Sequence, residues 1–332
     1  MVGLTKEDTL LHHYRVTQLL PILKQTKMVR TCLLLVLLKV CKIHSEEETK
    51  TPENWDAQWH RNHSQGTNDN WKQQLPGSII IGVRKGGTRA LLEMLSLHPQ
   101  VAAANSEVHF FNVEENYQKG LEWYSQQMPL SHPAQITVEK TPGYFSSFKA
   151  PERIHAMDRS MKLLLIVRDP VERLVSDYTQ ILNNRKTRHK PYQPLEQILR
   201  RGQQLDTRYK PMQRSLYALH LARWLEFFPM TQIHVVDGGG LIREPLSEMR
   251  HVERFLGLAP YLGPDNFYFN QTKGFYCLQA KGYHHCLDKS KGRPHPAVEE
   301  LLLEQLCTYF SEHNENFFAM EPAGNSFHNG AY

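Results

Sequence analysis

The sequence predicts an α/β protein: a central, mostly parallel sheet flanked by helices, with a P-loop-like anion cradle at the end of one strand. Three observations carry that expectation. Residues 78–98 run from a β-branched strand into a glycine-rich basic turn and on into an amphipathic helix, and residues 161–178 repeat the strand-to-helix junction. Further apolar, β-rich runs recur at the spacing of alternating strands and helices, which places ligands outside the carboxyl ends of the strands.

Ile79, Ile80 and Ile81 lie between Pro76-Gly77 and Gly82, the pattern of a strand covered on both faces. Gly86 and Gly87 let the backbone pass close to a ligand, and Thr88 sits where unpaired N–H groups open a helix. Lys85 and Arg89 add positive charge, so the natural occupant is a phosphate or sulfate ester. Gly82 and Gly87 keep the glycine spacing of G-x-x-x-x-G-K-[ST], but Thr88 follows directly and the lysine stands at 85. That arrangement suits a nucleotide whose terminal group moves without a magnesium-bound β,γ-phosphate pair. An ordinary βα turn would use the same residues. Further strands are expected at 100–104, 135–138, 162–167 and 232–236, and helices at 88–97, 170–183, 215–228, 245–256 and 296–310.

At the second junction Asp169 is an N-cap, Pro170 fits the first helical position and Glu172 completes a capping box. Arg168 therefore stands at a strand's carboxyl end beside the cradle, to grip a phosphate or to pair with Glu172 or Asp177. Ser176 can add a hydroxyl to the same anion, and Gln180 lies one turn further along that face. Glu107 and His109 are two apart. In an extended segment both would point one way, with Val108 and Phe110 facing the core, giving a carboxylate and an imidazole for acid/base work or a surface ion pair. Lys140, at another strand end, can hold an acidic substrate or pair with Glu139. The basic run 183–190, placed just after the Arg168 helix, can bind a polyanion or be solvated. Lys291, Gly292, Arg293, Pro294 and His295 form a second basic loop able to close over a nucleotide, or a polar linker.

The 332 residues are 40% hydrophobic and 22% charged, enough for one large domain. A net charge of +5 does not demand a nucleic-acid partner. Residues 1–44 read as a leader whose apolar core of about seven residues follows a basic flank, as in a signal peptide; spanning a bilayer takes ~20. Residues 45–74 read as a polar stem, 75–323 as the catalytic domain and 324–332 as a tail. Asn62 and Asn270 head glycosylation sequons. Cys277 and Cys286 bracket a short loop suited to a local disulfide in an oxidising lumen, or are two free thiols in a cytosolic protein. His284 and His285 beside them are expected to be solvated, and no metal site is expected.

Together these segments, across 75 to about 320, resemble the heparan sulfate glucosamine 3-O-sulfotransferases, with the short-stemmed type 1 branch nearest. The likeness rests on Val-Arg-Lys-Gly-Gly-Thr-Arg-Ala-Leu at 83–91, Glu-Val-His-Phe-Phe at 107–111, Val-Glu-Lys-Thr-Pro at 138–142 and Val-Arg-Asp-Pro-Val-Glu-Arg at 167–173. Lys-Gly-Phe-Tyr-Cys at 273–277 and Lys-Gly-Arg-Pro-His at 291–295 complete it. The resemblance implies a sulfotransferase fold and, as donor, 3′-phosphoadenosine 5′-phosphosulfate. Lys85, Gly86, Gly87, Thr88 and Arg89 would cradle its 5′-phosphosulfate, and Arg168 and Ser176 its 3′-phosphate. Tyr276 and Lys291 to His295 would close over the nucleotide. Glu107 would be the base, with Lys85 offsetting charge on the leaving phosphate. His109, Lys140, Gln180 and Arg89 would position the sulfated glycan, and Cys277 would pair with Cys286. One departure is visible: Asn112 stands where the type 1 pattern has an aspartate, which bears on rate and on the tuning of His109.

The expected protein is thus a monomeric Golgi-lumen enzyme acting on heparan sulfate, without metal or nucleic acid and with membrane contact at most through its leader. The rivals are a P-loop-type kinase, disfavoured by the missing Gly-Lys-Thr/Ser, and a non-catalytic heparin-binding module using the 185–190 run.

Overall fold

The computed structural model describes residues 70–202, 204–280, 283–288 and 292–320. The leader, nearly all of the stem, Asn62, Lys291 and the tail lie outside the described residues.

Five strands form a parallel sheet: β1 (Ser78–Gly82), β2 (Val101–Ala103), β3 (Ile136–Lys140), β4 (Lys162–Val167) and β5 (Ile233–Asp237), in spatial order β2-β3-β1-β4-β5. Their sequences are near-continuous apolar runs because both faces are covered. Ile79 and Ile81 pack with Leu163 and Leu165 on one face, beside Phe110, Tyr144 and Trp224. Ile80 packs with Leu164 and Ile166 on the other, against Leu91, Leu95 and Met249. The split follows the two-residue alternation of a strand.

The principal helices are α1 (Thr88–Leu95), α2 (Pro170–Thr187), α3 (Tyr217–Leu225), α4 (Pro245–Leu256) and α5 (Glu300–Ala319). In α1 the buried positions Leu91, Leu92 and Leu95 form one apolar stripe onto the sheet. α2 begins as its sequence dictates: Pro170 opens it and the Asp169 carboxylate accepts the Glu172 N–H at 2.8 Å. Leu174, Val175 and Tyr178 of α2 then bury against Leu302, Leu306 and Phe310 of α5. No helix among the described residues is long and apolar enough to cross a membrane.

Several boundaries differ from expectation. α2 continues to Thr187, so most of the basic run is its last turn, where Arg185 and Lys186 complement the negative helix end, rather than a separate segment. α5 starts at Glu300, beyond Pro294 and Pro296, and runs to Ala319 because its apolar stripe continues to the buried Phe317. α3 starts at Tyr217, since the Ser215 hydroxyl is committed to the Pro170 carbonyl at 2.9 Å. An antiparallel sheet of β6 (Phe267–Asn270), β7 (Phe275–Ala280) and β8 (Tyr283–His285) was not foreseen. Cys277 on β7 is bonded to Cys286, just past β8, with Cα atoms 4.5 Å apart. What reads in sequence as a loop between cysteines is therefore a disulfide-tied hairpin. Asn270 ends β6 half-buried, its side-chain oxygen accepting the Lys273 N–H at 3.0 Å.

Candidate active site

The chain leaving β1 goes to the β2 side of the sheet, whereas β4 leads to β5 on the other, so the crevice between the carboxyl ends of β1 and β4 is the switch point. The basic turn lies there. The Ile166 carbonyl accepts the Val83 N–H at 2.8 Å, and the Val83 carbonyl accepts the Gly86 N–H at 2.9 Å. Lys85 takes a left-handed backbone, φ +71°, a strained conformation for a lysine. A Cβ on Gly86 would lie 2.5 Å from the Ile166 carbonyl oxygen, so only glycine lets the turn settle onto β4. Gly87, at φ +118°, is the N-cap of α1, and no side chain caps that helix. Thr88 opens α1, whose first-turn N–H groups have no intrahelical partner.

The β4 flank is rich in arginine. Arg168 pairs with Glu172, one of the expected alternatives, but its Nε is buried without a hydrogen-bond partner. Ser176 is buried on the second turn of α2. Asp177 is not a partner of Arg168. Its carboxylate accepts from Arg84 Nε at 2.9 Å, Arg173 Nη1 at 3.1 Å and Arg214 Nη1 at 2.9 Å, and the side chains of Asp177 and Arg173 are fully buried. Burial alone would raise the Asp177 carboxyl; Arg173, Arg214 and Arg84 outweigh it and hold the group below the ordinary range. Sequence reading missed this cluster because its members come from positions 84, 173, 177 and 214.

The β3 flank holds the acid/base candidates. Glu107 accepts from Lys140 Nζ at 2.5 Å and lies 3.5 Å from His109 Nε2. Lys140 therefore pairs with Glu107, not Glu139. The sequence expectation of an extended segment does not hold: the chain turns at His109, φ +54°, and this turn brings the imidazole to Glu107. Val108 and Phe110 are buried as expected, and Phe111 with them. On the far side of the ring His109 Nδ1 is 3.3 Å from Asn112 Oδ1, so Asn112 does engage the imidazole. The hydrogen bond from His109, opposed by burial and reinforced by Lys140, holds the Glu107 carboxyl down at about 2. The same bond raises His109 against burial, with help from Asn112. A carboxylate held so low is always ionised near neutrality, and it gains basicity once a substrate displaces one of its cationic partners.

Glu139 and Lys140 are adjacent on β3 and so point to opposite sides. Glu139 is completely buried, and burial pushes its carboxyl up to about 7 despite a 2.5 Å hydrogen bond from the Thr141 hydroxyl.

Arg89 bridges from α1 to the loop after β2, donating to Glu93 at 2.6 Å and to the Asn105 carbonyl at 2.8 Å. Glu93 also meets His285 Nε2 at 3.1 Å, so His285 is pinned rather than solvated, while His284 is exposed. Gln180 accepts from Arg293 Nη1 at 3.2 Å, which docks the second basic loop on α2. Within that loop Gly292 has φ +66°, Pro294 is exposed and His295 half-buried. Tyr276 packs edge-on against Phe269 of its own sheet. Arg293 thus joins the α2 face, whereas these contacts leave Tyr276 and Pro294 with the hairpin and loop.

With this geometry in hand, the comparisons agree with one another. The sulfotransferase domain family matches residues 45–317. Heparan sulfate glucosamine 3-O-sulfotransferase 5 of Homo sapiens is 51% identical over 249 residues, covering 74% of this chain and 72% of that protein. Heparan sulfate glucosamine 3-O-sulfotransferase 3A1 of Homo sapiens is 45% identical over 255 residues, covering 76% and 62%. Among solved structures a sulfotransferase from Alicyclobacillus acidocaldarius superposes with a TM-score of 0.57 at 19% identity, covering 74% of this chain and 96% of that one, a likeness of fold.

Proposed function

This chain belongs to the heparan sulfate glucosamine 3-O-sulfotransferases, and from that membership we propose that it moves a sulfuryl group onto the 3-hydroxyl of N-sulfated glucosamine in heparan sulfate, with Glu107 as the base. The observation that carries the reading is a carboxylate held between Lys140 and His109 on one flank of a glycine-lined anion cradle.

The donor proposed is 3′-phosphoadenosine 5′-phosphosulfate, and the residues fit it. The cradle offers uncapped helix N–H groups and Lys85 at a position where a side chain on Gly86 would collide with β4, and the orphaned Nε of Arg168 is a buried donor in want of an anion. Lys85 to Arg89 would hold the 5′ end, Arg168 and Ser176 the 3′-phosphate, and the loop carrying Arg293 the nucleoside side. When bound, the donor supplies a sulfuryl group on a phosphate leaving group. Glu107 accepts the proton of the attacking 3-hydroxyl, while Lys140 and His109 fix its carboxylate. Lys85 and the helix N-terminus offset negative charge at the cradle, where fixed positive charge and alignment do most of the work. Arg89, Gln180 and Lys140 would meet the sulfated chain, and the enzyme would work in the Golgi lumen.

The test is transfer of labelled sulfate to heparan sulfate, followed by disaccharide analysis. Wild type is expected to give 3-O-sulfated glucosamine, and Glu107→Gln to lose about a thousandfold in kcat while binding the desulfated 3′,5′-bisphosphate unchanged. Transfer by the variant at the wild-type rate would remove Glu107 from its role, and a wild-type protein that binds heparan sulfate without sulfating it would leave only a binding module.

A further inference from the structure

The turn that carries Glu107 and His109 lies outside regular secondary structure, so its backbone donors have no ladder to join. Three successive N–H groups there are met by buried side chains of one short segment. The Val108 N–H donates to the Glu139 carboxylate, the His109 N–H to the Thr141 hydroxyl at 3.3 Å, and the Phe110 N–H to the Tyr144 hydroxyl at 3.0 Å. Glu139, Thr141 and Tyr144 are each 0% exposed. They are also linked to one another, because the Thr141 hydroxyl donates to Glu139 at 2.5 Å, and Tyr124 donates to the other Glu139 oxygen at 3.4 Å. Meanwhile Lys140, between Glu139 and Thr141, grips the Glu107 side chain itself.

We propose that Glu139, Thr141 and Tyr144 are positioning residues which clamp the backbone of residues 108–110 and so hold the left-handed turn that aims His109 and Glu107 into the cleft. This rests on the reading of Glu107 as the base. A turn with φ +54° at a histidine persists only where its surroundings over-determine it, and here three buried acceptors do so. Thr141 is the pivot: its one hydroxyl accepts from the turn and donates to the carboxylate beneath it. Valine at 141 keeps the shape and removes both bonds, whereas serine keeps both.

Three variants and two readouts decide it. Thr141→Val is expected to lower kcat about tenfold or more while leaving affinity for the 3′,5′-bisphosphate within about twofold, and Thr141→Ser to restore most of the rate. Tyr144→Phe, which frees the Phe110 and Phe111 N–H groups but leaves the Thr141–Glu139 link and the His109 N–H bond in place, should give a smaller loss of the same kind. Hydrogen exchange across 107–111, read by mass spectrometry in the full-length protein, should be slow in wild type and Thr141→Ser and faster in Thr141→Val. Because exchange needs no turnover, it reads the clamp even if the sulfotransferase reading fails on wild type. Unchanged exchange and kcat in Thr141→Val would overturn the proposal. So would a fall in nucleotide affinity as large as the fall in kcat, which would mark a general structural defect instead.

Discussion

The two flanks of the cradle are opposite solutions to holding charge. On the β4 side a fully buried carboxylate, Asp177, is surrounded by the guanidiniums of buried Arg173 and of Arg84 and Arg214, which reach solvent, leaving a cluster with cations in excess. On the β3 side a carboxylate that is 38% exposed, Glu107, is shared between one ammonium and one imidazole. The first arrangement is static: guanidiniums do not titrate in a protein, and nothing in the cluster can move a proton at working pH. The second has partners that can be exchanged, and its imidazole can change charge near neutrality. Fixed charge suits gripping a phosphate, and exchangeable charge suits taking a proton from a hydroxyl.

That contrast can be broken from either side. The largest effect is expected on the static flank, where Asp177→Ala leaves Arg173 buried without its counter-ion and should cost about 3–5 kcal/mol of folding stability, measured by denaturant unfolding. A variant of unchanged stability would show the cluster to be dispensable. On the exchangeable flank the effect should appear in pH dependence instead. Glu107 lies at about 2, below its ordinary 4.5, so its ionised form persists down to strongly acid pH. Removing a cation by Lys140→Met destabilises that form and raises the value, so the acid limb of the kcat/KM profile moves to higher pH; a limb that stays in place would mean that Lys140 does not tune the base. The smallest effect is expected at Gln180→Ala, which releases Arg293 and the second basic loop from α2 and removes a contact proposed for the glycan: a rise of a few fold in KM for the nucleotide and for heparan sulfate, since one hydrogen bond is worth about 1 kcal/mol.

Legibility in the sequence followed the same division. The sheet, the cradle and the Asp169 cap could be read because each is a local pattern: an isoleucine run, a glycine pair, an Asp-Pro-x-Glu start. Glu107, His109 and Lys140 could be chosen by type and motif, but their pairing could not, because it depends on a turn at His109 that no spacing rule signals. Glu107 and His109 do converge, but through that turn and not through the two-residue alternation of a strand. The Asp177 cluster and the Arg89–Glu93–His285 chain each join an i,i+4 pair to distant residues, Arg84 and Arg214 in one and His285 in the other, so in sequence each pair looks like an ordinary charged helix face. The sheet from β6 to β8 carries no such signal, because its aromatic residues come in runs, Phe267-Tyr268-Phe269 and Phe275-Tyr276, with no two-residue alternation.

Lys85 and His109 share one property across the cleft, a left-handed main chain under a side chain with a Cβ. Glycine or asparagine at either place would relax the fold by roughly 1 kcal/mol, and each would strip the cleft of its cation or its imidazole. A lineage freed from the need for turnover would therefore be expected to drift at these two positions before it loses its core, leaving a sturdier relative that no longer works.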